Sequence, residues 1–206
     1  MNAAIIAMTD FLAPTPTIDS AHPTIIAAAA EIAGDATDDE DIARRCFLWV
    51  RDQVSHSSDS QLTVVTCTAS DVLKHRVGFC YAKSHLLAAL LRARRIPAAL
   101  CYQRLAFDDS ASSFFLHGLV AIHLQRHDWY RVDPRGNKPG VFADFTPPIE
   151  TLPYTPRLPG EADLPDRYPD ALACVVSTLH HWPTAQDVRA HLPDYTPESP
   201  DSLLGK

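Results

Sequence analysis

Apolar side chains recur every three to four residues through the first half of the chain, which is the spacing of one buried helix face. The first such segment, residues 24–33, has His22 and Pro23 at its entrance and Gly34 at its end, as helices commonly do. A capping-box pattern at residues 37–40 then predicts the start of a second helix. The apolar stripe of this second helix consists of Ile42, Cys46, Trp49, Val50 and Val54.

A third helix, predicted over residues 81–94, is rich in leucine and alanine, and Pro97 ends it. Because its apolar residues lie on several sides, we expect this helix to be buried on more than one face. The connection between the second and third helices is less regular. It comprises a loop at residues 55–60, a short strand or extended approach at residues 62–67, and a turn at residues 72–75 capped by Ser70 and Asp71.

The periodicity changes after Pro97. Residues 98–105, 116–124 and 128–133 are predicted to be strands, because β-branched, aromatic and other apolar residues dominate them. The last two strands flank a tight turn near residues 126 and 127, which predicts an antiparallel hairpin. Together these elements predict an α+β fold in which a central helix packs against an antiparallel sheet.

Proline becomes frequent towards the end of the chain. Most of the 17 prolines lie between residues 147 and 200, where they block long helices and central strands, and only residues 171–179 suggest a regular element. We therefore expect a single domain over residues 1–206. Its parts are an irregular lead-in at residues 1–19, a core at residues 20–146, and a C-terminal segment at residues 147–206 that wraps the core.

Composition excludes some classes of partner. The chain of 206 residues is 46% hydrophobic, which is enough for a sizeable core. Its net charge of −7, from 18 basic and 25 acidic residues, argues against a nucleic-acid partner. The first residues lack a basic region of the kind that precedes a signal sequence, and no apolar run has the length of a membrane span. We expect no membrane partner and a cytoplasmic location.

Five cysteines, an odd number without C-x-x-C spacing, predict neither a disulfide framework nor a metal site, and we expect no cofactor. Cys80 differs from the other four because it stands between a glycine-led loop and the central helix. A thiolate is the reactive form of cysteine, and a helix N-terminus together with a nearby imidazolium favours it. Cys80 is therefore a candidate nucleophile.

A thiol nucleophile needs a histidine to exchange its proton and a third group to orient the imidazole. His117 begins the second predicted strand, and Asp133 ends the third. If these strands form a hairpin, the start of one lies beside the end of the other, so imidazole and carboxylate are adjacent. His117 and Asp133 are the candidate partners of Cys80.

These residues resemble the transglutaminase-like superfamily of papain-fold cysteine enzymes. The resemblance covers roughly residues 70–138, and Lys83, three residues after the cysteine, is similar to the bacterial branch with Cys-x-x-Lys. The matching blocks, in chain order, are Gly78-Phe79-Cys80, residues 86–93, Ile96-Pro97-Ala98, His117-Gly118, and Trp129-Tyr-Arg-Val-Asp-Pro134.

The resemblance implies a papain-like, transglutaminase-like core with Cys80 as nucleophile, His117 as general base and acid, and Asp133 as orienting carboxylate. The chain departs from the family pattern at Arg95, where glycine is usual, and in the Gly-Leu-Val that follows the histidine. A second donor for the oxyanion is not evident, and Gln61 is one candidate.

The function expected from this resemblance is thiol-dependent acyl transfer. Cys80 would attack a peptide, protein or small amide and form a thioester, which water or an amine resolves. One alternative is acetyl transfer of the arylamine N-acetyltransferase type, although those enzymes typically have Arg-Gly-Gly before the cysteine, where this chain has Arg76-Val77-Gly78. Another is a catalytically inert binding module of the same fold.

Overall fold

Helix α4 (Cys80–Ala93) lies at the centre of the fold in the computed structural model, which describes residues 7–60 and 62–195. All its residues from Cys80 to Arg92 are buried. A helix that is apolar on several sides is stable only when other elements enclose it, and three helices and three strands contact this one. The predicted central helix is confirmed, with the cysteine as its first residue. Gln61 lies outside the described residues.

Three further helices pack around α4 from the first half of the chain. They are α1 (Pro23–Ala33), α2 (Asp39–Gln53) and α3 (Ala69–His75). The predicted entrance of α1 is confirmed, because the side chain of His22 accepts a hydrogen bond from the backbone N–H of Thr24.

The predicted caps of α2 and α3 are wrong in position. Helix α2 is capped by Asp38, one residue after Thr37, and its carboxylate accepts from the backbone N–H of Asp41. Glu40, predicted to close the capping box, contacts His127 at 3.2 Å instead. Helix α3 begins earlier than expected, because Thr68 caps it.

The main sheet has four strands in the order β5-β4-β3-β6, all antiparallel to their neighbours. The strands are β3 (Ala98–Ala106), β4 (Phe114–Leu124), β5 (Asp128–Val132) and β6 (Ala162–Asp163). The hairpin of β4 and β5 is confirmed. Strand β4 begins at Phe114, so His117 is its fourth residue rather than its first. Strand β5 ends before Asp133, whose carboxylate accepts from the backbone N–H of Arg135 in a turn.

A second sheet, of two short strands, lies beside the start of α4. Strand β1 (Ser55–His56) pairs in parallel with β2 (Val77–Gly78), so the predicted loop at residues 55–60 is wrong for its first two residues. Residues 62–67 form no strand and approach α3 as irregular chain, and the Thr66 hydroxyl donates to the carbonyl of Val77.

The C-terminal segment contributes β6 and two helices, α5 (Ala173–His181) and α6 (Ala185–Ala190). Helix α5 fits the regular element predicted at residues 171–179. The sequence analysis missed α6, which begins after Pro183 and is capped by the Thr184 hydroxyl. Across residues 7–60 and 62–195, every helix is too short or too polar to cross a bilayer. The division into lead-in, core and C-terminal segment stays a prediction.

Candidate active site

The thiol of Cys80 lies at the first residue of α4, where backbone N–H groups of the first turn point out of the helix. Phe79, the capping residue, has no side-chain acceptor for these groups. The backbone N–H of Gly118 on β4 also donates to the Cys80 sulfur, at 3.5 Å. Helix and strand thus direct N–H groups towards one sulfur atom, an arrangement that stabilises negative charge.

Gly118 explains how β4 comes this close to the helix. A Cβ atom at this position would lie 3.0 Å from Cδ1 and 3.2 Å from Cα of Tyr81. The Tyr81 hydroxyl in turn donates to the carbonyl oxygen of Leu116, which fixes the strand against the second residue of α4. The glycine after His117 therefore permits the close contact between β4 and the start of α4.

The structure brings His117 and Asp133 together as the sequence predicts. Nε2 of His117 and Oδ2 of Asp133 are 2.5 Å apart, and both side chains are buried. The second carboxylate oxygen accepts from the backbone N–H of Arg135 at 2.8 Å. Because Nε2 is held by the carboxylate, Nδ1 is the nitrogen of His117 that remains for another partner.

Burial alone would lower the pKa of His117, but the charge of Asp133 and then the thiolate of Cys80 oppose this effect and raise the pKa to about 10. His117 is therefore an imidazolium at neutral pH in the folded protein. An imidazolium beside a cysteine favours the thiolate, with which it forms an ion pair.

Lys83 lies one turn into α4 and is fully buried. Its Nζ donates to the carbonyl oxygens of Arg51 and Val54, which joins the end of α2 to the central helix. Burial lowers the pKa of Lys83 to about 7, against the opposing charge of Asp133.

His56 is a site residue that the sequence analysis missed. It pairs with Gly78 across the small sheet, and its ring meets that of Phe79 edge to face, with centroids 6.0 Å apart. Burial, and then the charge of Arg135, hold the pKa of His56 well below its ordinary value, so the ring is neutral. Nδ1 accepts from the backbone N–H of Ser58 at 3.2 Å, which places the ring proton on Nε2.

Asp59 links the loop after His56 to the loop after Asp133. Its two oxygens accept from Arg135 at 2.8 Å and from Lys138 at 2.5 Å. Burial would raise the pKa of Asp59, but the hydrogen bond from Lys138 and the charge of Arg135 lower it. These three residues line a cavity of about 470 Å³ that also contains His56.

Tyr154, from the C-terminal segment, packs against the ring of His117. Its ring lies edge to face with the imidazole, with centroids 5.0 Å apart and planes at 85°. Gln103, directly opposite His117 on β3, donates to the carbonyl oxygen of Tyr154 at 3.2 Å. Cys80 and His117 are almost fully enclosed, since only 6% of Cys80 and 3% of His117 are exposed.

No local signal in the sequence indicates the two surrounding aromatic rings. His56 stands in a polar segment of serine, histidine and aspartate that predicts only a loop, and Tyr154 lies among prolines. Both reach the site through tertiary contacts, whereas Cys80 and Asp133 are marked by the ends of regular elements and His117 by its place on the β4–β5 hairpin.

A buried helix that presents a cysteine to a histidine on an antiparallel sheet defines the papain-like class of fold. The family model of the transglutaminase-like superfamily matches residues 26–134, more than half of the chain. The protein belongs to that superfamily.

The chain is also similar to solved structures of other proteins. The chain is 24% identical to a "Putative Cysteine Protease" from Cytophaga hutchinsonii, with a TM-score of 0.50, and the match covers 62% of this chain and 42% of that one. The periplasmic domain of TgpA from Pseudomonas aeruginosa is 20% identical with a TM-score of 0.46, over 61% of this chain and 46% of that one. A search of curated proteins gives no match.

Proposed function

We propose that this protein is a thiol-dependent acyl-transfer enzyme that acts on a peptide, protein or small amide substrate. The observation that supports this most directly is the placement of His117 between the carboxylate of Asp133 and the thiol of Cys80, at the N-terminus of a buried helix. In this proposal Cys80 is the nucleophile, His117 the general acid and base, and Asp133 the orienting carboxylate.

The chemical steps balance within these groups and the substrate. The Cys80 thiolate attacks the carbonyl carbon, forming a carbon–sulfur bond, and the carbonyl oxygen takes up the electron pair. Collapse of this intermediate breaks the carbon–nitrogen bond, and the proton on His117 passes to the leaving amine. Water or a second amine then attacks the thioester, gives its proton to His117, and releases the acid or the new amide together with the Cys80 thiolate.

The oxyanion needs donors that are already in position. The backbone N–H of Cys80 is one, since first-turn N–H groups have no partner within the helix. We assign the second to Nε2 of His56, because the ring is neutral, carries its proton on that nitrogen, and packs beside Phe79. This assignment takes the place of Gln61.

The test is intact-mass detection of an acyl adduct after acid quench, with a panel of peptide amides and small thioesters. We expect an adduct on the wild-type protein and none on Cys80→Ala. Cys174→Ala is the matched control, because Cys174 is the most exposed of the other cysteines in the described chain, and it should retain the adduct. Added methylamine would convert the product from acid to amide if the thioester accepts amines.

Two results would contradict the proposal. One is the absence of an adduct across the panel on correctly folded wild-type protein, which would favour an inert binding module of the same fold. The other is an adduct of equal yield on Cys80→Ala, which would place the reactive group elsewhere.

A further inference from the structure

Beside the site lies a cavity of about 710 Å³ that the catalytic proposal does not use, and we call it the aromatic pocket. Its lining combines apolar and aromatic side chains with charged ones. The larger apolar and aromatic residues are Leu105, Phe107, Phe115, Pro153, Tyr154 and Leu158.

Two observations place the aromatic pocket next to the candidate active site. Tyr154, which covers the imidazole of His117, is also part of the pocket wall. Phe115 precedes His117 by two residues on β4, so the two side chains share one face of the sheet at a separation of about 7 Å along the strand. Their partners on β3, Leu105 and Gln103, continue the same face.

The floor of the pocket presents exposed apolar surface. Phe107 is 49% exposed, and its ring contacts that of Phe115 with centroids 4.8 Å apart. Burial of exposed aromatic surface by a ligand in a concave site is favourable, because it removes that surface from water.

The rim of the pocket is negative on balance. Asp108, Asp109 and Glu161 carry three negative charges, and Arg157 supplies one positive charge, 3.7 Å from Asp109. Glu161 is fixed in place because its oxygens accept the backbone N–H groups of Ala106, Arg157 and Leu158. A group that fits this pocket is therefore apolar at its centre and is favoured by a positive charge beside it.

We propose that the aromatic pocket binds a large apolar side chain, aromatic or branched aliphatic, of a peptide acyl donor that carries a basic residue next to it. This inference rests on the proposed function and names the substrate class. An extended peptide advances about 3.3 Å per residue, so the apolar side chain belongs about two residues before the carbonyl that Cys80 attacks.

The test uses acetyl-Xaa-Ala-Gly chloromethyl ketones, in which the Cys80 sulfur forms a bond to the methylene carbon and chloride leaves. Second-order rate constants for alkylation are measured by intact mass, with Xaa as phenylalanine, leucine, alanine or aspartate. We expect phenylalanine and leucine to react about tenfold or more faster than alanine, and aspartate to react most slowly. A lysine placed before Xaa should accelerate alkylation relative to glutamate at the same position.

Variants locate the preference. Phe107→Ala removes exposed pocket surface and should bring the phenylalanine-to-alanine ratio close to one. Phe142→Ala is the matched control, because Phe142 is 58% exposed and lies outside the pocket lining, and it should keep the wild-type ratio. Asp109→Asn should reduce the advantage of lysine over glutamate.

The outcomes separate the two proposals. If all reagents alkylate Cys80 at one rate, or if Phe107→Ala keeps the wild-type ratio, the assignment of the pocket is overturned while the nucleophile stands. If no reagent modifies Cys80 of the wild-type protein, the proposed function is overturned and this inference with it.

Discussion

His117 and Lys83 are buried cations whose pKa values move in opposite directions. The charge of Asp133 and the thiolate of Cys80 outweigh burial at His117, so its pKa rises to about 10. At Lys83 burial outweighs the charge of Asp133, so its pKa falls to about 7. Each shift makes the free energy of unfolding depend on pH.

We predict that variants which remove one of these two effects change the pH dependence of the free energy of unfolding in opposite directions. Between pH 6.5 and 10 His117 keeps a proton only in the folded state, so its contribution to stability, complete below pH 6.5, is lost as pH rises to 10. Lys83 binds its proton more weakly in the folded state, so its contribution increases with pH from about 7 to 10.5. Relative to the wild type, the change in the free energy of unfolding across this window should be more negative in Lys83→Met and more positive in Asp133→Asn, each by roughly 2–4 kcal/mol, because the raised pKa values of the cysteines other than Cys80 are common to all three proteins.

Urea unfolding followed by circular dichroism at pH 6.5, 8 and 10 measures these slopes. The wild-type protein is the reference, and its slope should lie between those of the two variants. A free energy of unfolding that rises with pH in Lys83→Met would refute the charge assigned to His117.

A second residue-scale prediction concerns His56. His56→Phe preserves the edge-to-face contact with Phe79 but removes the N–H donor, and it should slow thioester formation about 100-fold with little change in KM. His56→Gln keeps an N–H donor and should recover part of the rate. Single-turnover acylation measured by quench and intact mass separates these effects.

His75→Phe is the control for this series, because His75 is exposed at the end of α3 and should react as the wild type does. An equal loss of rate in His56→Phe and His56→Gln would mean that the ring acts only by packing.

At the scale of elements, the contact between α4 and β4 sets the distance between thiol and imidazole. It is held by the hydroxyl of Tyr81 on the carbonyl of Leu116, and it requires the missing side chain of Gly118. A helix and a strand that approach this closely leave room for backbone atoms only.

We predict that Gly118→Ala pushes β4 away from the start of α4. The free energy of unfolding should fall by about 1–3 kcal/mol, and alkylation of Cys80 should slow because the Gly118 N–H moves away from the sulfur. Urea unfolding and the rate of labelling by iodoacetamide measure the two effects. His123→Ala, a half-buried position on the same strand, should change the free energy of unfolding by only about 0.5 kcal/mol.

If Gly118→Ala leaves both quantities unchanged, the close contact between strand and helix is not what positions the thiol.

The elements that the sequence predicted well are those with a strong period. The central helix and the hairpin of β4 and β5 depend on runs of apolar residues that local chemistry already specifies. Short elements were missed or misplaced because tertiary partners create them: β1 exists only through its pairing with β2, and β6 only through its pairing with β3. The predicted capping box of α2 does not form, because Glu40 contacts His127, a residue far away in the sequence.

At the scale of the whole molecule, Arg92 connects three distant parts of the chain. Its side chain is buried and donates to the carbonyl oxygens of Ala13, Ala98 and Pro169. Burial lowers the pKa of Arg92 to about 10. One guanidinium thus attaches both the lead-in and the C-terminal segment to the central helix.

We predict that Arg92→Met reduces the free energy of unfolding by about 3 kcal/mol, because three backbone carbonyl oxygens, one of them buried, lose their charged donor. Limited proteolysis should cut the C-terminal segment earlier than in the wild type. Arg126→Met, at an exposed position in the β4–β5 turn, is the control and should match the wild type in both measurements. Equal stability of the two variants would rule out this role for Arg92.

Cys80 and Asp133 could be predicted because each marks the end of an element: Cys80 begins α4, and Asp133 follows β5. His117 could be predicted because the hairpin of β4 and β5 places it beside Asp133. The surroundings could not, because Tyr154 is carried by irregular chain whose course depends on contacts with Gln103 and Arg92 rather than on its own periodicity. Local patterns specify which groups react, and long-range contacts specify how they are enclosed.

Tyr154 also lies outside residues 26–134, the part of the chain that matches the superfamily. Part of the wall beside the candidate site thus lies outside the stretch that matches the superfamily, whereas Phe107 and Phe115 of the aromatic pocket lie within it. A grafted segment at residues 150–161 would therefore reshape one wall of the site while the elements that carry Cys80, His117 and Asp133 keep their own sequence.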